Sequence, residues 1–136
     1  MTMAQPLTLF GAAQRAMSAQ LVRMNAAASN LANAGTVTGT AETAYRPIRT
    51  VFAAEVDRAS GLSTVRVGGI LRESAEPVQR YDPDHPLADA DGNVWTAPVD
   101  ENAEMVEMLD ASRQYQNLVE ALSTAKQLML ETMRMK

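Results

Sequence analysis

Two long stretches, one near each end of the chain, have apolar residues spaced as in helices that pack along their length. In the first stretch, about residues 8 to 33, strong helix formers dominate and proline is absent. Nine alanines and only two charged residues lie between Ala12 and Ala34. A repeat of about 3.5 residues predicts a coiled-coil seam, and Gly35 predicts the helix end. The seam positions are Met17, Leu21, Met24, Ala28 and Leu31.

The second stretch, about residues 100 to 135, predicts a longer helix of roughly 50 Å at about 1.5 Å per residue. Asp100 is placed to cap its N-terminus, with Glu101 and Glu104 in the first turn. The apolar positions again step by about 3.5 residues on average. They are Met105, Leu109, Ser112, Tyr115, Val119, Leu122, Ala125, Met129 and Met133. The opposite face is expected to be polar, with Glu104, Glu107, Arg113, Asn117, Glu120, Gln127, Glu131 and Arg134.

The middle of the chain, residues 36–99, has a different composition. It holds five of the six prolines and most of the glycines. Gly68 and Gly69 indicate a bulge or turn, and Asp91 with Gly92 indicates a turn. Alternating or β-branched runs predict antiparallel strands at residues 46–56, 63–70, 77–81 and 93–97.

These patterns together predict a mainly α fold with a β insert. Two long, antiparallel, coiled-coil-like terminal helices are expected to flank a small antiparallel β region. The division expected from the sequence is an N-terminal helix within residues 1–35, a β-rich insert over residues 36–99, and a C-terminal helix within residues 100–136.

The composition indicates that the helices need neighbours. Apolar residues make up 46% of the chain but aromatic residues only 4%, so the core must be built from Leu, Val, Met and above all Ala. A buried methyl contributes only about 0.8 kcal/mol, whereas ordering one backbone residue costs roughly 1–2 kcal/mol. The free energy of folding of an isolated alanine-rich helix pair is therefore close to zero.

Charge and targeting features exclude several classes of partner. The net charge is −4, and the 12 basic residues are scattered, so nucleic acid is not an expected partner. The first ten residues contain no Lys or Arg and do not resemble a Sec signal peptide. No run approaches the roughly 20 apolar residues of a membrane span. These rules alone would predict a cytoplasmic protein.

No catalytic, cofactor or metal site is predicted. The chain has no cysteine, which excludes disulfides and thiolate chemistry. His85 lies between prolines without a second nitrogen ligand, which favours a turn residue over a metal ligand or base. Residues 89–93 superficially resemble a calcium loop but lack the required spacing of oxygen ligands. The methionines of the second helix favour adaptable packing over copper binding. We therefore predict that the protein is not an enzyme.

The most informative local segment is Ala26-Ala27-Ala28-Ser29-Asn30-Leu31-Ala32-Asn33-Ala34. One interpretation is a small-residue helix end on which asparagine serves as a cap. The other is that Ala and Ser permit close helix approach while the Asn amides bond to neighbours and fix register. The residues alone leave both interpretations open.

The segment from Ala28 to Ala34 resembles the signature of the flagellar basal-body rod and hook axial proteins. Three further segments resemble the proximal rod family of the FlgC type, in the same order along the chain. They are Val37-Thr38-Gly39 with Tyr45-Arg46, then residues 86–94, then Glu104-Met105-Val106 continuing through residues 111–116 to the Met-rich end. Gly35 departs from the family, where an acidic residue is common, and residues 63–80 are generic.

The resemblance implies a structural rod subunit that polymerises with copies of itself and other rod proteins in a helical tube. It implies that the terminal helices form the inner layer, that the β insert faces outward, and that the rod transmits motor torque for motility. It also implies export through the flagellar type III apparatus, without a Sec signal, to a basal-body rod crossing the periplasm. The expected subunit-packing residues are Asn30, Leu31, Asn33, Met105, Leu109, Tyr115, Val119, Leu122 and Met129.

A rival function is a cytoplasmic coiled-coil adaptor or secretion chaperone that binds one partner helix. The acidic charge and the absence of a signal peptide fit this function equally well. A β insert between the helices fits it poorly.

Overall fold

A computed structural model describes residues 8–135; the predictions that concern residues 1–7 and Lys136 lie outside the described part. The chain runs from a long helix through five strands to a longer helix. The elements are α1 (Leu9–Ala32), β1 (Val37–Thr38), β2 (Ile48–Val56), β3 (Ser63–Arg72), β4 (Val78–Tyr81), β5 (Asn93–Thr96) and α2 (Glu101–Arg134). The predicted fold class is confirmed, and β1 is the one described strand that the sequence did not predict.

The helix ends follow from capping residues. Thr8 accepts a hydrogen bond from the Gly11 amide at 3.1 Å and so caps α1. Asp100 caps α2 as predicted, accepting from the amides of Asn102 and Ala103 at 3.0 and 3.2 Å. At the far end of α1, the Asn33 side chain donates to the Ser29 carbonyl at 2.8 Å. This bond satisfies a carbonyl of the last turn, and α1 ends at Ala32, three residues before Gly35.

The two helices are antiparallel neighbours. Near the C-terminal end of α1, Arg23 bonds to Glu107 and Asp110 near the start of α2. At the other end, Leu9 and Ala13 of α1 line a small apolar cavity with Ala121, Leu122 and Ala125 of α2. The start of α1 therefore lies beside the later part of α2.

The predicted seam of α2 has the right repeat but the wrong phase in its first half. Met105 and Leu109 are exposed. The buried positions are instead Glu104 and Ala111. Together with the half-buried Met108, Tyr115, Leu118, Leu122 and Ala125 they alternate in steps of four and three residues, and Glu107, Asp110 and Ser112 beside them are also half-buried. Glu104 is buried and Glu107 half-buried, so their assignment to the polar face was wrong.

The predicted seam of α1 was also wrong in its choice of residues. Leu21 and Ala28 are exposed, while Met17, Met24 and Leu31 are only half-buried. The buried residues of α1 are Ala19, Ala26, Ala27 and Asn30. Small side chains hold the inner face because they allow α2 and the β strands to approach the α1 backbone closely.

The strands form two separate antiparallel sheets. One has the order β1-β5-β4, and the other is the β2-β3 hairpin, which packs on α1. The hairpin contains the predicted bulge: Val51 pairs with Gly69 and Phe52 with Val67, leaving Gly68 as the extra residue. The turn before β5 has Gly92 at φ +80°, where a side chain would contact Tyr81 and Pro83.

The buried apolar core of the described residues is small. Its members are Ala19, Ala26, Ala27, Ala44, Val94, Ala97 and Ala111. Six of these are alanines, which contribute one methyl each, and four of the alanines lie in the helices. The core therefore matches the prediction of an alanine-built interior that contributes little free energy of folding within one subunit.

Candidate assembly surface

Most of the exposed apolar surface of α2 falls into two patches. The N-terminal patch consists of Met105, Val106 and Leu109, on the side away from the buried face. The C-terminal patch consists of Leu128, Met129, Leu130 and Met133. Scattered apolar side chains are ordinary on a protein surface, but contiguous apolar patches indicate contact with a partner.

The two patches are exposed for different reasons. The N-terminal patch has no described element packed over it, and Leu109 is 64% exposed. The C-terminal patch lies beyond Ala125, the last α2 position described beside α1. Every residue from 126 to 135 is exposed. The last turns of α2 therefore extend past the described part of α1.

A polar cluster fixes the register of the helix pair within the subunit. The Arg23 guanidinium donates to Glu107 through Nε and to Asp110 through Nη2, the latter at 2.8 Å. The hydrogen bond from Arg23 holds the pKa of the Glu107 carboxyl below its usual range. The same bond to Glu107 raises the pKa of Arg23. Arg23 is one of only two charges on α1, so its pairing aligns the helices at one height.

A second ion pair ties the hairpin to α2. Arg49 of β2 lies 2.5 Å from the Oε1 atom of Glu104, a side chain that is only 1% exposed. Arg49 also donates to Glu73 at 2.6 Å. The other Glu104 oxygen, Oε2, has no hydrogen-bond partner among the residues that the structure describes. The sequence interpretation missed both charge clusters. For the Arg23 cluster, an Arg on an alanine-rich helix was a signal that an acidic partner faces it.

Asn30 joins α1 to the hairpin. Its amide nitrogen donates to the Ile48 carbonyl at 2.9 Å, and its oxygen accepts from the Ile48 amide at 2.8 Å. The Tyr45 hydroxyl donates to the same oxygen at 2.8 Å. The side chain is fully buried. In this structure the Asn30 amide therefore sets the position of β2 on α1. Its nitrogen and oxygen bond to the carbonyl and amide of Ile48 as the backbone of a neighbouring strand would.

The nine predicted packing residues differ in their accessibility. Asn30 is buried within its own chain. Leu31, Asn33, Tyr115 and Leu122 are half-buried, and Met105, Leu109, Val119 and Met129 are exposed. Sequence reasoning did not include the exposed apolar residues Val106, Leu128, Leu130 and Met133 among the packing residues. Met133 was a predicted seam position that was not placed in this set. The signal for Val106, Leu128 and Leu130 was an apolar residue beside a seam position, which a strict repeat of about 3.5 residues leaves out.

The segments once considered for chemistry lie in turns. His85 accepts a hydrogen bond from the Leu87 amide through Nδ1 at 3.0 Å. Asp89 accepts from the amides of Asp91 and Asn93, both at 2.9 Å. Within residues 8–135, no group of three or more histidine, aspartate or glutamate side chains is arranged to hold a metal ion. No helix in that same part of the chain is long and apolar enough to cross a membrane.

Two family models match the chain, and the matches fall on its two ends. Residues 10–39 match a family described as flagella basal body rod protein. Residues 90–135 match a family described as flagellar basal body rod FlgEFG protein C-terminal. The first match covers most of α1 together with β1, and the second covers β5 and α2. Since β1 pairs with β5, the two matched segments form one joined structural unit.

Curated relatives share nearly the whole chain. The flagellar basal-body rod protein FlgC of Salmonella typhimurium is 44% identical over 129 residues, covering 93% of this chain and 95% of that relative. The FlgC of Escherichia coli O157:H7 has the same identity and coverage. The FlgC of Agrobacterium fabrum is 29% identical over 117 residues, covering 85% of this chain and 84% of that relative.

Proposed function

The chain belongs to the FlgC family of flagellar basal-body rod proteins and is a structural rod subunit, and we propose that it polymerises through the two exposed patches of α2. The exposure of apolar side chains on α2 supports this assembly mode. Alanines fill the buried core while larger apolar side chains stay on the surface. Burying a half-exposed Leu or Met contributes roughly 1 kcal/mol, so contact with neighbours would add the stabilisation that one subunit lacks.

We place α1, α2 and the paired strands β1 and β5 in the inner axial part of the rod, with the rest of residues 36–99 facing outward. The matched family segments coincide with that inner unit. Other rod proteins and copies of this chain are the partners in the tube. Many close helix contacts through small residues would give the stiffness that transmits motor torque to the hook and filament.

For the cellular route, we propose passage of the unfolded chain through the flagellar type III export apparatus, with assembly in the basal body across the periplasm. The absence of cysteine and the small core, which unfolds at low cost, are compatible with that route. In a strain whose flagellar type III export apparatus is inactivated, this protein should remain in the cytoplasm. Its appearance in the periplasm of that strain would contradict the proposed route.

The rival function, an adaptor or secretion chaperone, has no support among the relatives and family matches found for this chain. The relatives that cover nearly the whole chain are named as rod proteins, and both family matches are to rod families.

Among the packing residues, Asn30 acts within the subunit, so we assign the contact role to the exposed members, Met105, Leu109, Val119 and Met129. Leu31, Asn33, Tyr115 and Leu122 support the helix pair from its half-buried edge.

A complementation experiment tests the assembly surface. In a strain lacking the gene, the Leu109→Glu variant should restore neither swimming nor complete rods, because it places a charge in the N-terminal patch. Asn117→Glu is the matched control, since Asn117 is an exposed polar residue of the same helix, and it should restore both. Circular dichroism should show equal helix content for the two purified variants. Full motility with Leu109→Glu would remove this patch from the proposed assembly surface.

A further inference from the structure

The β2-β3 hairpin is bound to the helices most firmly at its base, where β2 begins and β3 ends. There the Asn30 side chain bonds to both backbone groups of Ile48. Arg49, the next residue of β2, pairs with the buried Glu104 of α2. Pro47, just before β2, is fully buried. The base of the hairpin is therefore fixed to both helices by directional bonds and by burial.

The tip half of the hairpin lies over α1 with open space between them. A cavity of about 710 Å³ is lined by one side of α1 between residues 11 and 22 and by residues 65–67 of β3. A cavity nearer the base, lined in part by Ile48 and Arg49, is smaller at about 390 Å³. Arg15 of α1 and Glu55 of β2 lie 3.9 Å apart across the tip half, and about half of each side chain is exposed. An exposed ion pair at this distance contributes little to stability.

A buried hydroxyl of the tip half has no hydrogen-bond partner. Thr64 is 8% exposed, and its Oγ1 atom has no partner among the residues that the structure describes. Thr64 pairs with Glu55, so both side chains lie on the face of the hairpin that meets α1. Thr50 in the base half also has an unpartnered hydroxyl, but there Asn30 and Arg49 hold the strand in place. In the tip half, a buried hydroxyl that water could reach in a lifted position disfavours the closed one.

A glycine bulge separates the two halves of the hairpin. Val51 pairs with Gly69 and Phe52 with Val67, so the ladder changes register at Gly68. No atom lies within 4 Å of the position that a Gly69 Cβ would take. Two consecutive glycines give β3 greater backbone freedom at this point than residues with side chains would. The bulge therefore lies where a hinge between the fixed base and the loosely held tip would have to be.

We propose that the tip half of the hairpin, residues 52–67, is a strap that lifts from α1 about the bulge at Gly68 and Gly69 while the base half stays bound. Lifting opens the cavity between the strap and α1 and exposes the Thr64 hydroxyl to water. The subunit can thereby change the angle of its hairpin without disturbing the helix pair. The motion follows from contacts within one subunit; its use to an outward-facing hairpin rests on the proposed placement of the insert in the rod.

Distances between spin labels, measured by pulsed electron–electron double resonance on the purified full chain, test the strap. The chain contains no cysteine, so labels attach only at introduced positions. The tip pair is Gln14→Cys with Ala59→Cys, and the base pair is Asn25→Cys with Ser74→Cys; all four native residues are exposed. The tip pair should give a short distance and a second, longer one, while the base pair should give a single narrow distance. A single narrow distance from the tip pair, or equally broad distances from both pairs, would overturn the proposal.

The Gly69→Ala variant tests the position of the hinge. A methyl group fits in the open space there but restricts the backbone, so the tip-pair distances should shift toward the short one. Gly35→Ala is the matched control, because a methyl group also fits there and Gly35 lies outside the hairpin; it should leave the distances unchanged. Circular dichroism should show equal helix content for the two variants.

Unchanged tip-pair distances in Gly69→Ala, or an equal shift in Gly35→Ala, would also overturn the proposal. These distances are measured in the unassembled subunit. Absence of the wild-type chain from purified basal bodies would therefore contradict the proposed function and leave the strap unaffected, so the two failures are distinguishable.

Discussion

At the scale of single residues, buried polar side chains set the geometry of this subunit. Asn30 bonds to both backbone groups of Ile48, Arg23 joins α1 to α2, and Arg49 joins the hairpin to the buried Glu104. An alanine-rich core is smooth, so helices could slide along one another at little cost. Directional bonds at a few positions remove that freedom.

Replacing Asn30 with alanine should lower the free energy of unfolding by about 1–3 kcal/mol, because the amide and carbonyl of Ile48 lose their buried partner. Urea unfolding monitored by circular dichroism measures the change. Asn33→Ala is the matched control: Asn33 is only half-buried and bonds to one carbonyl of its own helix, so its effect should be smaller. Equal effects of the two substitutions would show that the contact with β2 is not what Asn30 contributes.

Glu107 should make the stability of the monomer depend on pH. Its pKa in the folded state is lowered by the hydrogen bond from Arg23, so the unfolded chain binds a proton more readily. The stabilising contribution is complete above the ordinary pKa range of glutamate and is lost as the pH falls through the lowered folded pKa. Urea midpoints measured between neutral and acidic pH should fall less steeply for Glu107→Gln than for the wild type. Parallel pH profiles would contradict this role.

At the scale of elements, the sequence predicts the spacing of apolar positions along each helix better than it predicts which residues face the partner helix. Both helices and four of the five strands follow from periodicity, capping residues and turn residues. The phase was missed because the prediction gave large apolar side chains the buried positions. In this fold Ala19, Ala26 and Ala111 are buried, since close approach of the backbones favours small residues, and Met105 and Leu109 are left exposed.

The candidate surface could be foreseen only in part for the same reason. Met105, Leu109, Val119 and Met129 were identified as apolar, but a seam within the subunit and a contact between subunits have the same periodicity. Only the positions of α1 and α2 relative to each other separate the two. The ion pairs of Arg23 and Arg49 depend on side chains more than 50 residues apart or on different elements, which local patterns do not reveal.

Substitutions on the two faces of α2 should have separate effects. Ala111→Leu should destabilise the monomer by about 1–3 kcal/mol, because Ala111 is fully buried and a larger side chain overpacks the contact with α1. Met129→Gln with Met133→Gln should leave the unfolding midpoint of the monomer unchanged, since both side chains are exposed, but should reduce rod assembly. Urea unfolding of the monomers, together with counts of complete basal bodies by electron microscopy, separates these results. A destabilised Met129→Gln/Met133→Gln monomer would mean that these residues already pack within the subunit.

At the scale of the whole molecule, the subunit divides its apolar residues between two roles. Alanines hold a thin internal core, while Leu, Val and Met along α2 remain available for neighbours. We expect a chain built this way to fold marginally as a monomer and to gain stability from assembly by mass action. The same property suits a rod subunit, which must stay unassembled before delivery and become rigid after it.

Hydrogen exchange of α2 in the free and assembled protein tests this account most directly. In the purified monomer, backbone amides of residues 126–134 should exchange rapidly, because no described element packs on those turns. In purified basal bodies the same amides should be strongly protected, while those around Ala111 should already be partly protected in the monomer. Slow exchange of residues 126–134 in the monomer, unchanged on assembly, would contradict the claim that neighbouring subunits complete the packing of this helix.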